Sequence, residues 1–217
     1  MKTNDKLSLV FNLLVVVMEV VALSMPMAEG IERLRYYTLL ANYFSIIPCL
    51  LMVFFLLKKK SVSEVPFAVL VMKYIAAVAL ALTFIVVLVI LIPSDYGLSD
   101  YINGFVKNDL EGAFLYWHLL CPILVFVSFM FFEGDRRLNK KKTIYYPCLV
   151  TLIYGFVMII LNITGVVVGP YPFLRVLYNP WYMSIIWFVI IGSVCYLIAR
   201  YMLLVNQMHA PRVKLKR

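Results

Sequence analysis

The sequence predicts an all-α integral membrane protein, a single domain of six transmembrane helices with both termini in the cytoplasm. Three observations carry that expectation. Hydrophobic residues make up 64% of the 217 and charged ones 14%, with a mean hydropathy of +0.94. A soluble domain holds about 45–50% apolar and about 25% charged residues. Six apolar stretches are each long enough to cross about 30 Å of hydrocarbon, which takes roughly 20 helical residues. Most of the Lys and Arg gather between those stretches, at Lys2/Lys6, Lys58–Lys60, Arg136–Lys142 and Arg200–Arg217, the pattern that orients membrane spans. The net charge of +9 therefore reads as topology and not as affinity for nucleic acid, and soluble-enzyme and disordered classes are excluded.

The first span is read over 7–26. Lys2 and Lys6 precede it as the n-region of a signal peptide would, but the run is long and Glu19 interrupts it, so it is expected to be retained. Spans two to six follow at 36–57, 66–92, 113–132, 145–166 and 182–204. The 93–112 connection is acidic, with Asp95, Asp100, Asp109 and Glu111 against Lys107, whereas the 58–65 and 133–144 connections are strongly basic. Each loop agrees with cytoplasmic termini, and the setting expected is a bacterial plasma membrane. Cys49, Cys121, Cys148 and Cys195 all fall inside spans and read as small packing residues, not as a disulfide framework. The sequon at Asn162 lies within span five and is not expected to be modified.

Ionisable groups inside spans are costly and mark function by default. Glu19, Lys73 and His118 are the candidates. Lys73 sits about 10 Å from the cytoplasmic end of span three, near enough for its ammonium to snorkel to the interface. Glu19, Thr38, Asn42, His118 and Asn162 come from four spans and all fall in the outer half by helical rise, with far fewer polar groups in the inner half. Thr38, Asn42 and Ser45 recur at i, i+4, i+7 and share one face of span two. Asn12 and Glu19 do so on span one, Glu111 and His118 on span four, and Thr151, Tyr154, Met158 and Asn162 on span five. Pro122 removes the N–H that the His118 carbonyl would otherwise accept, so the helix is expected to open beside the one intramembrane histidine. With His209 in the basic tail, the three or so ligands of a metal site are lacking, and no metal or other cofactor is expected.

The segments Arg35-Tyr36-Tyr37-Thr38-Leu39-Leu40-Ala41-Asn42 and Leu115-Tyr116-Trp117-His118-Leu119-Leu120-Cys121-Pro122 resemble the family of androgen-induced proteins and androgen-dependent regulators of tissue factor pathway inhibitor, with their bacterial relatives. The resemblance implies a six-span intramembrane hydrolase of fatty-acid esters of hydroxy fatty acids, whose Thr nucleophile and His partner match Thr38 and His118. Its partner would be a membrane lipid or fatty-acyl substrate. The chemistry of the residues is compatible: Thr attacks an ester once a base takes its proton, and His serves as that base near neutral pH. Glu19, then Glu111, are candidates to orient the base. Asn42, Tyr36 or Tyr116 are candidates to donate to an oxyanion, and Tyr36, Tyr154 and Asn162 to line a substrate pocket. Intramembrane ionisables equally mark proton-coupled carriers and channels, and a non-catalytic lipid-binding protein would carry the same spans.

Overall fold

The computed structural model describes residues 1–25 and 34–211. The end of the basic Arg200–Arg217 cluster, beyond Pro211, lies outside the described residues. Six helices are long and apolar enough to cross a membrane. They are α1 (Thr3–Ser24), α2 (Tyr37–Lys59), α3 (Phe67–Tyr96), α5 (Leu115–Phe132), α6 (Tyr145–Ile163) and α7 (Trp181–His209). Among the described residues there are no strands. A seventh helix, α4 (Tyr101–Asp109), occupies the acidic connection read as a plain loop. It packs on the end of α3, where the Tyr101 hydroxyl donates to the Leu88 carbonyl at 3.0 Å.

Helix ends follow local chemistry. Lys60 closes α2 in the left-handed region at φ 65°, directly after the Lys58–Lys59 pair that favours a helix C-terminus. Pro66 and Pro180 precede α3 and α7, where a missing N–H costs nothing. Gly97, at φ 72°, ends α3 four residues beyond the expected edge of span three.

The axis of the bundle is α3. In its most apolar stretch 56% of residues are buried, against 11% in α7. Ala76, Ala77, Ala79 and Ala81 are all buried there, and small side chains are what lets membrane helices approach closely. Lipid-exposed α7 is anchored at one point of this axis by the Tyr74 hydroxyl, which donates to the Ala199 carbonyl at 2.9 Å.

The first residues and the last described ones lie at one end of the bundle. Asp5 accepts from the Val62 N–H at 3.0 Å, and the Gln207 amide donates to the Asp135 carbonyl at 2.8 Å. The polar faces expected on span one and span two are realised: Asn12 and Glu19 are both fully buried, as are Asn42 and Ser45. Two expectations are overturned. Lys73 does not snorkel; it is fully buried. The half of the bundle nearest the termini is not poor in polar groups either, since Ser8, Asn12, Lys73, Ser128, Glu133 and Asn206 are all fully buried there. Lys73 stays inside because Glu133, placed in a loop by the sequence reading, folds inward to meet it.

Candidate functional site

Tyr36 is the N-cap of α2, so Thr38 falls in the first turn, where backbone N–H groups have no acceptor within the helix. The Thr38 N–H donates instead to the Tyr171 hydroxyl at 3.4 Å. The Thr38 side-chain oxygen lies 3.5 Å from the same hydroxyl. Tyr171 comes from the connection between α6 and α7 and is 6% exposed. Its ring stacks on Phe173 at 5.2 Å and meets Tyr36 edge-on at 6.1 Å. Gly169 makes this close loop attainable, because a Cβ there would collide with the Leu174 carbonyl. Burial pushes the Tyr171 phenol above its usual range, so it is a neutral O–H donor at physiological pH.

Thr38 and Tyr171 line a cavity of about 60 Å³ between α2, α3, α6, α7 and this connection. Most of its wall is aliphatic or aromatic, including Leu82, Val86, Trp187 and Phe188. Two polar pairs close its rim. Tyr37 and Thr151 share a hydrogen bond of 2.8 Å, and the Tyr154 hydroxyl donates to the Arg35 carbonyl at 2.6 Å. One polar group on the wall is unmatched: the Thr83 hydroxyl, 3% exposed, has no hydrogen-bond partner among the described residues.

Asn42 ties α2 to α5. Its amide donates to the Thr38 carbonyl at 2.8 Å and to the Trp117 carbonyl at 3.2 Å. The residue preceding His118 is thus one side chain away from the turn that carries Thr38. His118 itself is half-buried, stacked on Phe114 at 5.2 Å, and does not line the Thr38 cavity. It lies in a π-helical turn, Leu115–Leu120. The opening expected from Pro122 takes that form, and such turns recur at functional sites.

The remaining sequence candidates are distributed around these two. Glu19 accepts from the Ser45 hydroxyl at 3.5 Å and faces Cys121 and Trp117, with one carboxylate oxygen unpartnered. Glu111 is exposed in the turn before α5. Tyr116 and Tyr36 pack against the small cluster of Ala22, Leu39, Ala113 and Trp117. The Tyr36 hydroxyl accepts from Arg35 at 3.4 Å. Asn162 braces the α6–α7 connection, donating to the Val167 carbonyl at 3.1 Å and accepting from the Val176 N–H at 2.8 Å. It therefore shapes the loop that carries Tyr171.

A second polar centre sits nearer the termini. Lys73 donates to Asn12 Oδ1 at 2.6 Å and to Cys49 Sγ at 3.2 Å. Asn12 in turn donates to Glu133 Oε1 at 2.6 Å. The same oxygen accepts from Ser8 at 3.0 Å and from Ser128, and stands 3.9 Å from the Lys73 ammonium. Among the described residues no three His, Cys, Asp or Glu side chains converge as a metal site requires.

Tyr171 and Thr83 are the site residues that sequence reasoning missed. Tyr171 lies outside every span in Gly169-Pro170-Tyr171-Pro172, and only that Pro/Gly-rich, aromatic composition marked the loop as shaped. Thr83 looks like an ordinary residue in an alanine- and valine-rich run. The chain matches no protein-family model, no curated protein and no solved structure.

Proposed function

We propose that this protein is an intramembrane lipid-ester hydrolase of the androgen-induced protein type, with Thr38 as nucleophile and His118 as general base. The observation that carries the reading is the setting of Thr38. A hydroxyl in the first turn of a helix opens onto a mostly apolar cavity inside a membrane bundle. An acyl chain suits that wall, and the ester it carries would meet the hydroxyl. The direct Asn42 bond to Trp117 supports the partnership, since no helix separates α2 from the turn of α5 that bears His118. A threonine alcohol attacks an ester only when its proton is removed, and imidazole has the chemistry for that transfer near neutral pH.

The test uses the full-length protein in detergent. A fluorophosphonate probe should label Thr38, Thr38→Ser should keep labelling, and Thr38→Val should abolish it. His118→Ala should lose turnover of p-nitrophenyl palmitate while remaining monodisperse. Wild-type protein that neither labels nor turns over the ester would withdraw the hydrolase reading in favour of lipid binding without catalysis.

One observation favours a second reading, a proton-coupled carrier. Asp5, Ser8, Asn12 and Glu19 are all buried on one face of α1, so polar groups continue from the Glu19 level to the end of the bundle that holds the termini. Proton uptake by proteoliposomes that is lost in Asn12→Leu and kept in Thr38→Val would select it.

A further inference from the structure

We infer that Tyr171 is a further catalytic residue, whose hydroxyl forms with the Thr38 backbone N–H the oxyanion-binding pair of the reaction. The inference rests on the hydrolase reading. Three donors named from sequence are committed elsewhere or face away from the cavity. Both bonds recorded for the Asn42 amide go to carbonyls, Thr38 and Trp117. Tyr36 and Tyr116 pack against the Trp117 cluster, and neither lines the cavity. On the cavity itself Tyr154 donates to the Arg35 carbonyl and Tyr37 pairs with Thr151. Tyr171 alone of these tyrosines points its hydroxyl at the proposed nucleophile.

The geometry suits an inserted oxygen. The Thr38 N–H and the Tyr171 hydroxyl are 3.4 Å apart, a long and weak contact. An oxygen at about 3 Å from both, the distance an oxyanion hole requires, would replace that contact with two stronger ones. The Thr38 N–H gives up no helical bond in doing so, because a first-turn N–H has none, and the N-terminal end of the helix dipole favours negative charge there. The Tyr171 ring is held by Phe173 and Tyr36, so its donor is positioned before substrate arrives. An independent sign that this cavity receives a polar ligand is Thr83, whose buried hydroxyl on the same wall is unpartnered.

In the step proposed, Thr38 Oγ1 bonds to the ester carbon and its proton passes to His118. The carbonyl π pair moves onto oxygen, where the Thr38 N–H and Tyr171 O–H donate hydrogen bonds without transferring a proton. Collapse breaks the bond to the alkoxide, which leaves as the alcohol with the proton from His118. Water then releases the acid from the acyl-threonine by the same route.

Tyr171→Phe keeps the stacked ring and removes only the hydroxyl. With p-nitrophenyl palmitate, kcat should fall about 10²–10³-fold, as on loss of one oxyanion donor, with KM changed less than about twofold. A structural role would instead lower the folded fraction or raise KM, so both constants are taken per folded molecule from the monodisperse fraction. Fluorophosphonate labelling separates the role of Thr38 from that of Tyr171. Absence of Thr38 labelling in the wild type overturns the hydrolase reading and this inference with it. Labelled Thr38 with wild-type kcat in Tyr171→Phe overturns the role of Tyr171 alone. Should Tyr171→Phe fail to fold, 3-fluorotyrosine at 171 keeps ring and hydroxyl while strengthening the donor. A kcat above wild type then supports the role, and a kcat at or below wild type at unchanged KM overturns it.

Discussion

A buried hydroxyl without a partner is a cost that native structures seldom carry unless a ligand uses it. Thr83 is such a group, set in the central helix and on the cavity wall. Thr83→Val keeps the side-chain shape and removes the unmatched oxygen, so the ligand-free protein should gain about 1 kcal/mol. Thermal unfolding in detergent should show a raised midpoint. Ester turnover by the same variant should show a raised KM, because the oxygen lost is one the ligand would have met. A lowered midpoint would mean that Thr83 has a structural partner. Residue by residue, the sequence revealed what periodicity encodes. The stripes Thr38/Asn42/Ser45 and Asn12/Glu19 are buried as helical spacing requires. It did not reveal Tyr171, whose position depends on how an irregular loop folds back, and no period governs that.

At the level of elements, the Lys73–Asn12–Glu133 bridge joins α1, α3 and the end of α5. Asn12 accepts from the cation and donates to the carboxylate, which fixes its amide orientation and the register of α1 against both neighbours. Asn206 of α7 adds a fourth element by donating to the Glu133 carbonyl at 3.0 Å. The close turn after Glu133 needs Gly134, where a Cβ would stand 2.6 Å from the Ala210 N. Depth from the helix end suggested that Lys73 would reach water, yet the side chain is fully buried. Snorkelling is the default for a lysine without a partner, and the partner came from outside the apolar run. Removing one charge strands the other in a dry interior, which costs about 3–5 kcal/mol, whereas removing both is far milder. Lys73→Met and Glu133→Gln should each lower stability strongly, and the double variant should recover more than half of the summed loss. Reversible unfolding in mixed micelles gives the cycle. Simple additivity would mean that the two side chains do not act as a pair.

For the whole molecule, fold class followed from composition alone, because a chain this apolar with six such stretches has few alternatives to a helical bundle. An even number of spans also brings the start of α1 and the end of α7 to one end, as the Asp5–Val62 and Gln207–Asp135 contacts show. Which membrane face that end occupies is a question of charge. The Lys58–Lys60 and Arg136–Lys142 clusters flank the terminal-bearing end, while the opposite end carries the acidic connection and α4. Basic loops resist translocation, so the termini should face the cytoplasm and the mouth near Thr38 and Tyr171 the outer leaflet. Asn103, on α4, and Asn139, in the basic connection, are both exposed and suit cysteine substitution. The native Cys49, Cys121, Cys148 and Cys195 are buried and should stay silent to a membrane-impermeant maleimide. Intact cells should label Asn103→Cys and not Asn139→Cys, with both labelled after permeabilisation. The reverse pattern would invert the bundle. The Lys73–Glu133 centre would then lie toward the exterior, and the Thr38 cavity would draw its lipid from the cytoplasmic leaflet.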